Sequence, residues 1–217
     1  DAGMLYYAPQ CWTSDDTDAV ERIKIQYGTS MAYPVSSMGA HVSAIPNHQV
    51  KRMTDVDFRA HVAYFGAFGY ELDPNAMTED EQEKVKEQIA FFKKYRKLIQ
   101  FGTFYRLEDP FEGDGNAAWM SVSPDKKQAV AAYYKVMATP NPKLKKLILT
   151  GLDPDKRYYC SRNGRTYYGD ELMNMGLLLD MEFTGSSVRK DSITRKDSGT
   201  DAGDYTSQLY VLECVDN

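Results

Sequence analysis

An α/β segment followed by an all-β segment is the fold class this sequence predicts, and three observations predict it. Strand-like and helix-like stretches alternate three times before residue 108. The helical rhythm fades beyond Pro110, where short β-rich runs take over. Turn signals such as Pro140–Asn141–Pro142 and Asp153–Pro154–Asp155–Lys156 separate those runs. Alternation of the first kind belongs to a parallel α/β sheet or barrel, and serial short strands to an antiparallel sandwich.

In the first half, Tyr6–Tyr7–Ala8 and Cys11–Trp12–Thr13 read as short buried strand pieces. A helix follows the acidic cluster Asp15, Asp16 and Asp18: Asp18 with Glu21 has capping-box spacing, Val20, Ile23 and Tyr27 recur at helical period, and Gly28 is a stop. Met38–Pro46 reads as a strand and loop. Thr54 with Asp57 resembles a second helix start, running through Phe58, Val62 and Phe65 to Gly66. Phe68–Leu72 is a third strand, closed by Pro74. Thr78 and Glu81 form another capping box, with Val85, Ile89, Phe92, Arg96 and Ile99 on one helix face. In the second half, strands are expected at Ala117–Val122, Gln128–Met137, Lys145–Leu149, Tyr158–Cys160, Arg165–Tyr168 and Gln208–Cys214. Residues 169–181 leave a short helical turn open. Ser186–Gly203 is polar without apolar periodicity and reads as an exposed loop.

The 217 residues suit one large domain or two small ones. Hydrophobic residues at 42% and charged ones at 26% are a globular composition, which excludes wholesale disorder. A net charge of −5 argues against nucleic acid, whose phosphates demand a basic face. No apolar run approaches the ~20 residues of a membrane span. No targeting segment is visible at Asp1–Ala2–Gly3. Three scattered cysteines fit neither a disulfide framework nor a zinc site and point to a reducing, cytoplasmic compartment. Three α/β units do not complete an eight-stranded barrel of ~250 residues, so the sequence reads as the tail of a longer protein.

The chemistry concentrates in Ser14-Asp15-Asp16-Thr17-Asp18, at the junction of a strand's C-terminal end and a helix N-terminus. Parallel α/β folds build active sites there. Helix capping is the plain alternative, but one cap needs one residue, so three aspartates leave at least one without a structural task. A metal role is the weaker option, because no second acidic or histidine cluster lies nearby. His41, His48 and His61 lack metal-ligand spacing, and His41 and His48 read as hydrogen-bonding residues of loops. Trp12 is either a ring exposed for stacking on a ligand or a buried one. Lys93–Lys97 reads as a solvated helix face, and the tyrosines, 16 in all, mainly as core and interface.

The blocks Trp12-Thr13-Ser14-Asp15-Asp16-Thr17-Asp18-Ala19, Ile23–Ser30, Tyr33-Pro34, Met38–Ser43, Pro46-Asn47-His48-Gln49, Arg59–Ala63 and Phe68–Asp73 closely resemble the α-galactosidases of glycoside hydrolase family 36, as does Gly3–Tyr7. The resemblance implies a retaining hydrolase that releases terminal α-linked galactose from raffinose-type oligosaccharides and galactosides. It implies that residues 1–108 are the C-terminal three βα units of a (β/α)8 TIM barrel and residues 109–217 a C-terminal antiparallel β-sandwich. It places the general acid/base at Asp15, with Asp16 the runner-up. No cofactor and no metal are expected. The parent is expected to bind α-galactoside sugars, neither nucleic acid nor membrane, and to self-associate, a tetramer being one form. The nucleophile of the family lies in a block resembling Lys-Trp-Asp, which does not occur here. The chain alone is therefore expected to be inactive, and a non-catalytic carbohydrate-associated or structural module is the alternative. At Val50-Lys51-Arg52 the pattern departs from the family's, where a threonine and a glycine precede the arginine.

Overall fold

A computed structural model describes residues 2–139, 143–179 and 203–215 of the chain. It divides into two compact units, Asp1–Phe101 and Gly102–Asn217.

The first unit carries α1 (Ala19–Thr29), β1 (Gly39–Ser43), α2 (Val56–Ala63), β2 (Ala67–Glu71) and α3 (Glu79–Phe101). β1 and β2 pair in parallel, Gly39 opposite Ala67 and Ser43 opposite Glu71. Cys11 adds a parallel bridge to Met38, accepting from the Gly39 amide and donating to the Ser37 carbonyl. Ala40 and Val42 of β1 are fully buried, and α2 packs against this strand. Gly66 permits the close return from α2 to β2, since a β-carbon there would stand 2.7 Å from that of Ala40 and 2.9 Å from the Met38 carbonyl oxygen.

Aromatic rings join the end of α2, β2 and α3. Tyr64 stacks on Phe91 at 4.8 Å, Phe68 lies 4.9 Å from Phe92, and Phe91 lies 4.8 Å from Tyr95. Such pairs contribute about 0.5–1.5 kcal/mol each beyond their buried area. The Thr78–Glu81 capping box forms as expected: the Thr78 amide donates to Glu81 and the Glu81 amide to Thr78 Oγ1. The buried face of α3 is Gln88, Phe92, Tyr95, Leu98 and Ile99. Arg96, expected on that face, points to solvent with Lys93, Lys94 and Lys97, because the true apolar stripe runs through Tyr95.

Two further expectations are corrected. Ala2–Tyr6 is a 3-10 turn, and Tyr6 and Tyr7 are 86% and 80% exposed rather than buried strand. Cys11 and Trp12 are also exposed, since only one side of their segment meets a described strand. An aromatic run signals burial only where a second surface closes on it. At α2 the cap is Asp55, whose carboxylate accepts the Asp57 amide, not Thr54, which is buried.

The second unit is built on a six-stranded antiparallel sheet. Its strands are β3 (Thr103–Glu108), β4 (Ala117–Val122), β5 (Gln128–Lys135), β7 (Arg157–Cys160), β8 (Arg165–Tyr168) and β10 (Thr206–Cys214), with β6 (Lys146–Leu147), α4 (Gly169–Asn174) and β9 (Leu177–Leu178) between them in the chain. The order is β3-β4-β5-β10-β7-β8, while β6 and β9 form a separate pair. β3 pairs with β4 and so belongs to this unit, where the reading at residue 108 had counted it in the first. β10 lies between β5 and β7, Leu212 facing both Ala129 and Cys160.

One face of the sheet presents Met120, Ala131, Tyr158, Cys160, Tyr210 and Leu212 to a core completed by Leu147, Leu149, Leu152, Leu172 and Leu177. The helical turn left open at 169–181 is α4, which contributes Leu172 to that core. On the opposite face the Trp119 and Tyr134 rings lie 4.8 Å apart. Tyr158, Tyr134 and Tyr210 are core residues, as expected of the tyrosines, whereas Tyr159 and Tyr168 are exposed. The strand expected over Lys145–Leu149 is regular only at Lys146–Leu147. Pro140–Asn141–Pro142 and nearly all of Ser186–Gly203 lie outside the described residues. No helix among the described residues is long and apolar enough to cross a membrane.

Candidate active site

The acidic segment Ser14–Asp18 enters α1 at the end of β1 where Ser43 stands. Ser43 Oγ donates to the Thr17 carbonyl at 3.0 Å. This is the carboxyl end of the parallel strands, the side on which such sheets carry their chemistry.

The three aspartates divide the work. Asp18 is 2% exposed and caps α1: its Oδ2 accepts from the Val20 and Glu21 amides, both at 3.1 Å. The same oxygen accepts from Arg52 Nη1. Asp16 Oδ1 accepts the Asp18 amide at 3.0 Å, and Ser14 Oγ accepts the Asp16 amide at 3.1 Å. Asp15 is exposed, and among the described residues no group donates to its carboxylate; only its carbonyl accepts, from Gln49 Nε2 at 3.5 Å. The carboxylate that capping leaves over is that of Asp15.

Behind the segment, the guanidinium of Arg22 is buried and donates to Thr13 Oγ1 at 2.8 Å and to the Gly39 carbonyl at 2.5 Å. Burial holds the Arg22 pKa below its ordinary value, with the charge of Asp16 opposing. Trp12 is 41% exposed and lies 4.6 Å from the His41 ring. It also rests over Gly39, where a β-carbon would come within 2.9 Å of its ring. Burial lowers the His41 pKa, against Glu71 and together with Arg22, and so favours the neutral imidazole. No group of three or more His, Cys, Asp or Glu side chains among the described residues converges on a metal position.

The second wall is the connection from β1 to α2, where the sequence shows the family-like block Pro46–Gln49 followed by the departure at Val50–Arg52. Asn47 Oδ1 accepts the Gln49 and Val50 amides, its Nδ2 reaches Thr17 Oγ1 at 3.3 Å, and its amide donates to the Arg52 carbonyl at 3.0 Å. Lys51 adopts φ 59°, in the left-handed region that favours glycine. Arg59, 4% exposed, donates from Nη1 to the Ser43 carbonyl at 2.6 Å. Asn47 was legible as a turn former. Arg22, Arg52 and Arg59 carry no local signal, because each acts on a residue distant in sequence.

The chain matches two family descriptions: Melibiase over residues 1–102, and Glycosyl hydrolase family 36 C-terminal domain over residues 116–212. Alpha-galactosidase AgaA of Geobacillus stearothermophilus is 57% identical over 179 residues, which are 82% of this chain and 24% of that relative. The crystal structure of the alpha-galactosidase from Lactobacillus brevis superposes with a TM-score of 0.90 at 46% identity, covering 100% of this chain and 28% of that one. A variant of the Geobacillus AgaA, crystallised with raffinose, gives a TM-score of 0.87 at 49% identity, over 99% of this chain and 27% of its own. The chain thus spans about a quarter of the length of the curated relatives it matches. With its first half matched by one description and most of its second by the other, the chain belongs to glycoside hydrolase family 36.

Proposed function

We propose that this chain is part of a retaining α-galactosidase acting on raffinose-type oligosaccharides, and that Asp15 is its general acid/base. The observation that carries this reading is the exposed Asp15 carboxylate without a partner among the described residues, beside Asp18, which caps α1, and Asp16, whose Oδ1 accepts the Asp18 amide. The solved relative with bound raffinose supports the substrate class. The parallel pairing of β1 and β2 supports reading residues 1–101 as the last βα units of a (β/α)8 barrel. The antiparallel sheet, which begins with β3, supports reading the chain from residue 102 onward as the C-terminal β-sandwich. The parent is proposed to be a cytoplasmic, self-associating enzyme.

In this mechanism protonated Asp15 gives its proton to the glycosidic oxygen as the bond from the anomeric carbon breaks. A second carboxylate, supplied from outside residues 1–217, forms the glycosyl ester. Asp15, now ionised, takes a proton from water as that water attacks the anomeric carbon and frees the nucleophile. Trp12, partly exposed on the His41 ring, offers an aromatic face of the kind on which the apolar face of a sugar stacks.

The test is a complete family 36 polypeptide that carries this chain, made by exchanging it for the matching quarter of the Geobacillus relative. Asp15→Asn is expected to lower raffinose hydrolysis by about 100-fold or more. Its glycosylation rate on a 2,4-dinitrophenyl α-galactoside, whose leaving group needs no proton, is expected to fall far less. The same pattern from Asp16→Asn instead, or no galactose release by a folded hybrid, sinks the assignment. The 217-residue chain by itself is expected to release no galactose.

A further inference from the structure

Among the described residues nothing holds the carboxylate of the acid in the proposed mechanism, so its direction depends on the backbone that bears it. That backbone is pinned on both sides of Asp15. Ser14 Oγ accepts the Asp16 amide, Asp16 Oδ1 accepts the Asp18 amide, and Asp18 is anchored in the cap of α1. Four contacts then cross from residues 43–52 to the same segment: Ser43 Oγ to the Thr17 carbonyl, Asn47 Nδ2 to Thr17 Oγ1, Gln49 Nε2 to the Asp15 carbonyl, and Arg52 to the Asp18 carboxylate. Three of the four use neutral groups, and the Gln49 contact at 3.5 Å is at the limit of a hydrogen bond. The fourth pairs full charges, with the Asp18 side chain 2% exposed and Arg52 23% exposed.

The donor loop is itself closed. Lys51 donates its amide to the Asn47 carbonyl at 2.9 Å, Asn47 donates to the Arg52 carbonyl at 3.0 Å, and the left-handed Lys51 turns the chain so that Arg52 faces Asp18. Arg52 Nη2 also lies 3.6 Å from Glu21 Oε1, on the first turn of α1. A guanidinium meeting two carboxylates at a helix start fixes that start in direction as well as position.

We propose that Arg52 is a positioning residue for catalysis: through Asp18 it aims the Asp15 carboxyl at the glycosidic oxygen. The proposal rests on Asp15 being the acid. A misplacement on the order of 1 Å costs about 100-fold in rate. It costs that only in the step that needs the proton.

In the complete polypeptide used for Asp15, Arg52→Gln is expected to lower kcat on raffinose by about 100-fold, with KM nearly unchanged, while glycosylation by the 2,4-dinitrophenyl α-galactoside falls less than about 5-fold. Arg52→Lys keeps the charge without the fork and is expected to recover part of the raffinose rate and to preserve the order of the two substrates. Thermal midpoints of all variants are read alongside. A purely structural role for Arg52 lowers both substrates together, in proportion to the folded fraction, and that result overturns the proposal. So does a raffinose rate left at the parental level in folded Arg52→Gln. If Asp15→Asn spares raffinose hydrolysis while Arg52→Gln still separates the substrates, the acid assignment fails and Arg52 serves another acid. The two failures are thereby told apart.

Discussion

Gly69 is the register partner of His41, and a β-carbon on it would stand 2.9 Å from His41 Cδ2 and 3.0 Å from its Nε2. The missing side chain makes room for an imidazole on which Trp12 rests. Gly69→Ala is expected to destabilise the first unit by about 1–3 kcal/mol, the range for forcing an extra carbon into a packed site. Denaturant unfolding measures it, and an unchanged midpoint would mean that the His41 ring turns aside freely.

Asp15 and Asp18 are three residues apart and are expected to respond in opposite ways. Asp18→Ala removes the α1 cap, worth about 1 kcal/mol. It also strips Arg52 of its buried carboxylate, so the total loss is expected near 2–3 kcal/mol, below the full figure for a wholly buried pair. Asp15→Ala alters an exposed side chain without a described partner and is expected to stay within about 0.5 kcal/mol of the parent. Equal destabilisation by the two would contradict this division of labour.

The Asp57–Lys84–Gln88 cluster sets a pH dependence. Burial pushes the Asp57 carboxyl up, but the hydrogen bonds from Lys84 Nζ at 2.7 Å and Gln88 Nε2 at 2.8 Å outweigh it, and the Asp57 pKa ends below its ordinary value of 3.8. A carboxylate depressed in the folded state stabilises above the unfolded pKa and loses that contribution as pH falls through the folded one. The stability gap between the parent and Asp57→Asn is therefore expected to be full above the ordinary carboxylate range and to shrink as pH falls through and below it. A gap independent of pH over that window would rule out the ionised form as its source.

Lys51 holds φ 59° in the loop that carries Arg52. The left-handed region costs a residue with a β-carbon roughly 1–2 kcal/mol. Glycine avoids that cost but enlarges the unfolded ensemble by about 0.4–1 kcal/mol. Lys51→Gly is expected to stabilise the chain by about 0.5–1 kcal/mol, seen as a higher melting temperature. A lower one would show that the Lys51 ammonium contact with the His48 carbonyl, at 3.0 Å, matters more than the backbone.

The starts of α1 and α3 were legible in the sequence because their capping interactions are local, whereas the stop expected at Gly28 was not, since α1 runs through it to Thr29. Asp18 before α1 and the Thr78–Glu81 box before α3 act within three residues of themselves, so their pattern is their structure. Strands β4, β5 and β10 announced themselves likewise, by β-rich runs between turns. The exposed Tyr6 and Tyr7 were misread for the opposite reason, since burial depends on a second surface that no local run encodes.

The sequence by itself determined that three aspartates crowd the start of α1 and that capping cannot occupy them all. Which of them capping leaves over was decided in three dimensions. Asp16 and Asp18 are committed by backbone amides and by Arg52, 34 residues away, and Asp15 is left facing solvent. The strand order β3-β4-β5-β10-β7-β8 was likewise a tertiary outcome, because β10 inserts between strands that precede it in the chain. The physical reason is common to both. Short-range hydrogen bonds follow from residue type and spacing, whereas ion pairs and strand partners far apart in the chain form only where packing of the apolar faces has brought them together.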